Sequence, residues 1–96
     1  MLVAPLTAEQ EAAVAEYRRV RDIYLDLCRR EDAAFARYFA RLHAGLRTNG
    51  AATSRLANLA NYASTDVYSA QGALYKVGIE PWDIDDADRV ERVPVS

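Results

Sequence analysis

The chain has 96 residues, of which about half are apolar, and its 12 basic and 14 acidic residues leave a formal net charge of −2. This length fits one small domain, for which oligomerisation often adds stability. The single cysteine, Cys28, excludes an intrachain disulfide, and we expect a buried, reduced thiol. Residues 1–8 show neither a basic start nor a continuous apolar run. We therefore expect no cleavable signal peptide, no membrane span, and a cytoplasmic or virion location.

Charge is segregated along the sequence. Residues 1–16 carry −3, residues 17–55 carry +5 and residues 56–96 carry −4. Lys76 is the single lysine, so nearly all of the positive charge is arginine. Arginine and alanine are both favoured by GC-rich coding, from which we infer an actinobacterial or actinophage source.

Residues 9–47 have the pattern of one long amphipathic helix. Apolar residues recur at helical spacing and repeat every eleven residues, which favours a nearly straight bundle helix over a left-handed zipper. Thr7 and Gln10 fit a capping box at its start, and Asn49-Gly50 is expected to close it. A break with a new cap at Asp32 is the alternative. The apolar stripe consists of Ala13, Tyr17, Val20, Tyr24, Cys28, Phe35, Phe39, Leu42 and Leu46, with Ile23, Leu27 and Tyr38 at its edges.

A second helix follows the Asn-Gly turn. Thr53 or Ser54 is expected to cap its start. Gly78 fits the position just beyond its end, where a positive φ is required, and Pro81 prevents the helix from resuming. Ile79 is the expected apolar partner of the helix end.

The two helices are predicted to form an antiparallel hairpin in an all-α fold. A turn at Gly50 would pair large residues of the first helix with small or branched residues of the second. Examples are Phe35 with Ala63 and Tyr24 with Leu74. This consistent pairing favours the hairpin.

The predicted division is a hairpin domain at residues 1–78 and an acidic C-terminal tail or docking arm at residues 79–96. Trp82 and Ile84 are the expected anchors of the tail, which is read as either extended or one helical turn. The hairpin is expected to complete a helical bundle by oligomerisation.

The outer side of the second helix is unusually poor in charge. Between Leu56 and Tyr75 only Asp66 is charged. A solvent-facing helix side normally carries Lys, Glu or Arg, so we expect this side to be covered by a second copy or a larger protein. A polar but unoccupied outer face is the alternative. The predicted partner interface consists of Asn58, Asn61, Tyr62, Thr65, Tyr68, Ser69, Tyr75 and Trp82.

Two charged features stand apart from this pattern. Glu31 interrupts the apolar stripe, and we expect a buried carboxylate whose polar contact fixes the helix register. Four arginines gather on the opposite face of the first helix, where they would meet the acidic tail, a partner or solvent. Nucleic acid is less favoured, because the total charge is negative and no aromatic residues are interleaved. This basic face consists of Arg19, Arg30, Arg37 and Arg41.

Catalytic chemistry is not expected. His43 is the only histidine, and the second helix carries no Glu or His, so no metal site, cofactor site or catalytic pair is predicted within one chain. The spacing of Arg37 and His43 resembles that of HEPN-type ribonucleases, in which two chains bring such pairs together. Tyr38 stands where those enzymes carry a polar residue. The resemblance implies the alternative of a dimeric HEPN-like RNase.

The length, the hairpin and the pair Tyr62 and Asp66 resemble the WXG family of secreted helical hairpins and their Tyr-x-x-x-Asp export signal. The turn here lacks Trp-x-Gly, and the Tyr62 motif lies inside a predicted helix. The resemblance implies the alternative of an exported hairpin. The main prediction is a small non-enzymatic structural or adaptor protein, such as a subunit of a phage particle or another multiprotein assembly.

Overall fold

The computed structural model describes residues 5–92, with side chains through residue 89. These residues form three helices and no strand: α1 (Ala8–His43), α2 (Ala51–Lys76) and α3 (Pro81–Arg92). The all-α prediction is confirmed. The first four residues of the predicted hairpin domain and the last four of the predicted tail lie outside the described residues.

α1 starts as predicted. The Thr7 hydroxyl accepts a hydrogen bond from the Gln10 N–H at 3.1 Å, and the Gln10 side chain accepts one from the Thr7 N–H at 2.9 Å. This reciprocal capping box satisfies two of the backbone donors that a helix start leaves unpaired. The helix then continues without interruption past Asp32, so the alternative break there is wrong.

The prediction that α1 runs to Arg47 is wrong. α1 ends at His43, and Gly45 takes a φ of 73°. The N–H groups of Gly45 and Leu46 donate to carbonyls of the last turn at 3.0 and 2.9 Å, in a Schellman arrangement. Gly50, which was expected to close α1, has a φ of −84° and precedes α2. The chain reaches a glycine suited to closing the helix earlier than we expected.

The predicted cap of α2 is also wrong. α2 begins at Ala51 without a side-chain hydrogen bond at its cap. The buried Thr53 hydroxyl instead donates to the Gly50 carbonyl at 2.7 Å. Asn49 partly replaces the cap, since its side-chain oxygen accepts from the Ala51 N–H at 3.2 Å.

The end of α2 is as predicted. Gly78 has a φ of 78°, and the Ile79 N–H donates to the Leu74 carbonyl at 3.0 Å. Both of these apolar side chains are buried in the same cluster. Pro81 then begins α3, a helix of 12 residues, so the expectation of an extended arm or a single helical turn is wrong.

Gly78 and Gly72 provide a matched pair of substitutions. Gly78→Ala is expected to lower the free energy of unfolding by about 1 kcal/mol, because a Cβ is strained at positive φ. Gly72→Ala is expected to raise it by about 0.5 to 1 kcal/mol, because the added methyl meets nothing within 4 Å and alanine favours helix. Urea unfolding followed by circular dichroism at one protein concentration checks both. Equal effects of the two substitutions would contradict the assigned backbone geometry.

α1 and α2 pack on each other and run antiparallel, because the Gln10 side chain donates to the Val77 carbonyl at 3.1 Å. The register differs from the predicted one. Gln10 lies beside Val77, and Tyr24 lines a cleft with Tyr68, six residues before the Leu74 with which we expected it to pair. The physical reason is the early end of α1, which moves the connecting turn toward the N-terminus of the chain. We call the end with this turn the loop end and the opposite end the open end.

The main core lies at the open end and draws on all three helices. Leu74 and Ile84 are fully buried there. Ile84 anchors α3 as predicted, whereas Trp82, the other expected anchor, is 59% exposed. Cys28, expected to be buried, is only half-buried. The cluster consists of Val14, Tyr17, Val20, Ala70, Leu74, Ile79 and Ile84.

The molecule is flat and elongated. Its radius of gyration is 17.7 Å and its extents are 58 × 36 × 14 Å. A compact domain of about 100 residues has a radius of gyration of about 13 Å. Much of its apolar surface is therefore left without a covering layer.

Candidate partner-binding surface

A cluster of charged groups holds α3 on α1 at the open end. The guanidinium of the buried Arg21 lies 2.8 Å from an Asp85 oxygen and 2.6 Å from an Asp88 oxygen. Arg18 donates two bonds to Asp88, at 2.8 and 3.2 Å. The Tyr17 hydroxyl donates to Asp85 at 2.9 Å. We call these five residues the Arg21 cluster.

Burial and pairing shift the pKa of three members of the Arg21 cluster, Tyr17, Arg21 and Asp88. Burial alone would lower the pKa of Arg21, but its hydrogen bonds to Asp85 and Asp88 raise it above its ordinary value. Burial raises the pKa of the Tyr17 hydroxyl, and its bond to Asp85 raises it further, to about 12. Burial alone would raise the pKa of Asp88. The hydrogen bonds from Arg21 and Arg18 outweigh that effect and hold the pKa below its ordinary value. The carboxylate form of Asp88 is therefore favoured in the folded protein, where it pairs with Arg18 and Arg21 across the contact between α1 and α3.

Acid is expected to loosen α3. Because the folded pKa of Asp88 is depressed, its stabilisation is present above the unfolded pKa of about 3.9 and is lost as the pH falls through the folded value. Trp82, the only tryptophan, lies on α3 and reports this change by fluorescence. Asp88→Asn is the control, and its acid transition should be smaller than that of the unmodified protein. Identical transitions in both proteins would exclude Asp88 as the titrating group.

The apolar stripe of α1 is divided into a covered half and an uncovered half. Toward the open end, Tyr17 and Val20 are buried. Toward the loop end, the side chains of Phe35, Phe39 and Leu42 are 39%, 51% and 46% exposed. α2 therefore leaves the half of the stripe toward the loop end partly exposed. We call these three residues the uncovered stripe.

Small side chains explain why α2 does not cover this half. The residues buried between α1 and α2 here include Ala34, Ala60 and Ala63. Alanines permit close helix contact but extend little to either side. The rings of Phe35 and Phe39 consequently stack on each other outside the contact, with centroids 6.2 Å apart.

The uncovered stripe lies on the same face of α1 as the docked α3. Phe39 follows Tyr17 by two eleven-residue repeats, which return to nearly the same helix direction. Tyr17 bonds to Asp85 of α3, so α3 covers at the open end the face that is bare at the loop end. A cleft of about 200 Å³ lies on this face, lined by Tyr24, Ser64, Val67, Tyr68 and Gln71.

All eight residues of the predicted interface are exposed, so the outer face of α2 is available to a partner. Tyr62 and Tyr68 are 77% and 74% exposed. Ser64 and Thr65 donate to the Asn61 carbonyl within the helix, and those hydroxyls are thus satisfied locally. That a partner covers this face remains a prediction.

Glu31 is half-buried rather than fully buried. Among the described residues it forms no ion pair. Its position in the stripe, between Tyr24 and Phe35, leaves room for a contact from outside the chain. The contact that we expected to fix the hairpin register is not formed with a charged group of residues 5–89.

The predicted basic face is exposed and does not receive α3. Arg19 pairs with Glu16 at 2.6 Å and Arg30 with Asp26 at 3.0 Å, both within α1. Arg41 donates to the Arg47 carbonyl at 3.2 Å. Exposed pairs of this kind contribute little to stability.

Sequence reasoning missed the arginines that do hold α3. Arg18 and Arg21 are three residues apart, as are Asp85 and Asp88. Because the two arginines on α1 and the two aspartates on α3 have the same spacing, both arginines can contact the aspartates where the two helices meet. That match was the available signal, but the only arginines that we considered as contacts for the acidic tail were those opposite the apolar stripe.

Arg37 and His43, the pair with HEPN-like spacing, are both exposed on α1. Within residues 5–89, no three His, Cys, Asp or Glu side chains are grouped as metal ligands. None of the helices in that range has a stretch long and apolar enough to cross a membrane. The absence of catalysis remains a prediction.

The architecture is thus that of an all-α chain, a helical hairpin with a third helix docked at its open end. Comparison of the chain with protein-family models, curated proteins and solved structures gave no significant match. The function is therefore argued from the surface itself.

Proposed function

We propose that this protein is a small non-enzymatic structural or adaptor subunit that acts by assembly, with a second copy or with a larger protein. The supporting observation is the uncovered stripe, in which two stacked phenylalanine rings and Leu42 face solvent. Contiguous apolar side chains of this size on a small chain mark interaction surfaces. A phage particle or another actinobacterial multiprotein assembly is the proposed setting, inside the cell or in the virion.

The outer face of α2 supports the same proposal independently. It presents Tyr62, Tyr68 and Tyr75 among amide and hydroxyl side chains. Tyrosine suits interfaces because it combines a large apolar body with a polar tip. The cleft between Tyr24 and Tyr68 lies where this face meets the stripe-bearing face.

Light scattering combined with binding of an apolar dye tests this function. Self-assembly predicts a mass above the monomer value of 10.7 kDa. If the protein instead requires a larger partner, we expect a monomer that binds the dye through the uncovered stripe. The Phe39→Ser variant should then lose dye binding. A monomer that binds no dye would contradict both forms of the proposal.

A further inference from the structure

The loop end of the molecule is basic. Residues 33–65 contain four arginines and no acidic residue. All four arginines, Arg37, Arg41, Arg47 and Arg55, are exposed. The uncovered stripe lies at this end of the molecule, so an occupant of the stripe comes close to a region of net positive charge.

The open end is acidic. Residues 5–22 and 66–89, which form it, hold ten acidic against five basic residues. Four of the five basic residues are arginines that carboxylates already pair within the chain, Arg18, Arg19, Arg21 and Arg89. Glu9 and Glu11 are exposed at the start of α1, and Asp86 is exposed on α3. The acidic surplus therefore faces solvent at the end opposite the stripe.

This arrangement selects an orientation for a second copy. Two copies side by side and turned end for end place each basic loop end along the acidic open end of the other, twice in one closed interface. A parallel pair would bring like charges together at both ends. A head-to-tail chain of molecules would satisfy the charges but leave the uncovered stripe in water.

We propose that the uncovered stripe binds the open end of a second copy of this chain, in an end-for-end dimer. The proposal rests on the proposed function and names its partner. The dimer covers Phe35, Phe39 and Leu42 of each copy. It also brings the exposed Trp82 of α3 toward the stripe of the other copy. Apolar area supplies the affinity, while the segregated charge fixes the orientation.

Energy transfer between two labelled copies tests the orientation. In a Cys28→Ser background, Ala44→Cys labels the loop end and Ala12→Cys the open end; both alanines are exposed. Along α1 these positions are about 48 Å apart at 1.5 Å per residue. With a Förster distance well below that length, the end-for-end dimer predicts efficient transfer from position 44 of one copy to position 12 of the other. Transfer between two copies labelled at position 44 should be weak.

The other outcomes are distinct. Efficient transfer between two loop-end labels would overturn the end-for-end dimer and leave the assembly function standing. A monomeric mass with no transfer, and with no apolar dye bound, would overturn both. A monomer whose loop end binds random-sequence single-stranded DNA would replace the dimer by nucleic-acid binding.

Charge reversal provides the matched control. Arg47→Glu with Arg55→Glu removes the net positive charge of the loop end, and Glu9→Arg with Glu11→Arg removes the acidic surplus at the start of α1. Each double variant alone is expected to dimerise about tenfold more weakly, and an equimolar mixture should recover most of the lost affinity. No recovery on mixing would contradict charge pairing between the loop end and the open end.

Discussion

Phe39→Glu is expected to abolish association while leaving α1 helical. Phe39 is half exposed in the single chain, so a glutamate there remains hydrated in the monomer and costs little. In the assembled protein the same carboxylate would be buried against apolar surface without a partner. We expect association to weaken by about 2 kcal/mol or more, roughly thirtyfold, which is typical of a central interface residue.

Ala40→Glu is the matched control for this substitution. It adds the same charge to the next residue of the same exposed helix turn, but one residue along the helix turns the side chain by about 100° away from the stripe. Sedimentation velocity and circular dichroism compare the two variants. Equal loss of association in both would show that charge near the loop end, rather than burial of the stripe, controls assembly.

Arg21→Met is expected to release α3 and to lower the free energy of unfolding by about 3 kcal/mol. Arg21 is buried and contacts both Asp85 and Asp88. Removing it leaves the buried Asp88 with Arg18 alone, and an undercompensated buried charge is costly. Urea unfolding at a fixed protein concentration, followed by circular dichroism and Trp82 fluorescence, measures the loss.

A double variant separates the loss of the ion pair from the loss of packing. Arg21→Met with Asp88→Leu should recover much of the stability, since apolar residues of similar volume often replace a buried pair without cost. Arg19→Met removes only an exposed pair with Glu16 and should cause no measurable change. An Arg21→Met protein as stable as Arg19→Met would contradict the assigned role of the Arg21 cluster.

The parts of the fold that sequence predicted correctly depend on local chemistry. The capping box at Thr7 and Gln10 and the helix end at Gly78 each involve residues within one turn of each other. Such signals do not depend on the rest of the fold. The prediction of the end of α1 was wrong because the sequence offers two glycines, Gly45 and Gly50, that could each close the helix. Of these two glycines, only Gly45 has a positive φ.

The candidate surface could be predicted only in part. The uncharged outer face of α2 could be predicted, because the spacing of residues along a single helix is enough to show which of them share a face. The exposure of Phe35, Phe39 and Leu42 could not be predicted in this way, because it depends on how closely the alanines of α2 allow the two helices to approach. The docking of α3 on Arg18 and Arg21 is likewise a contact between distant segments, and no local pattern specifies it.

Sedimentation velocity of the unmodified protein, over a range of protein and salt concentrations, tests the central claim most directly. We predict a dimer that is held together by the uncovered stripe and that weakens as salt screens the attraction between the basic loop end and the acidic open end. The Phe39→Glu variant should remain monomeric at every salt concentration. An unmodified protein that is monomeric throughout, or whose dimer strengthens as salt is raised, would contradict the end-for-end dimer.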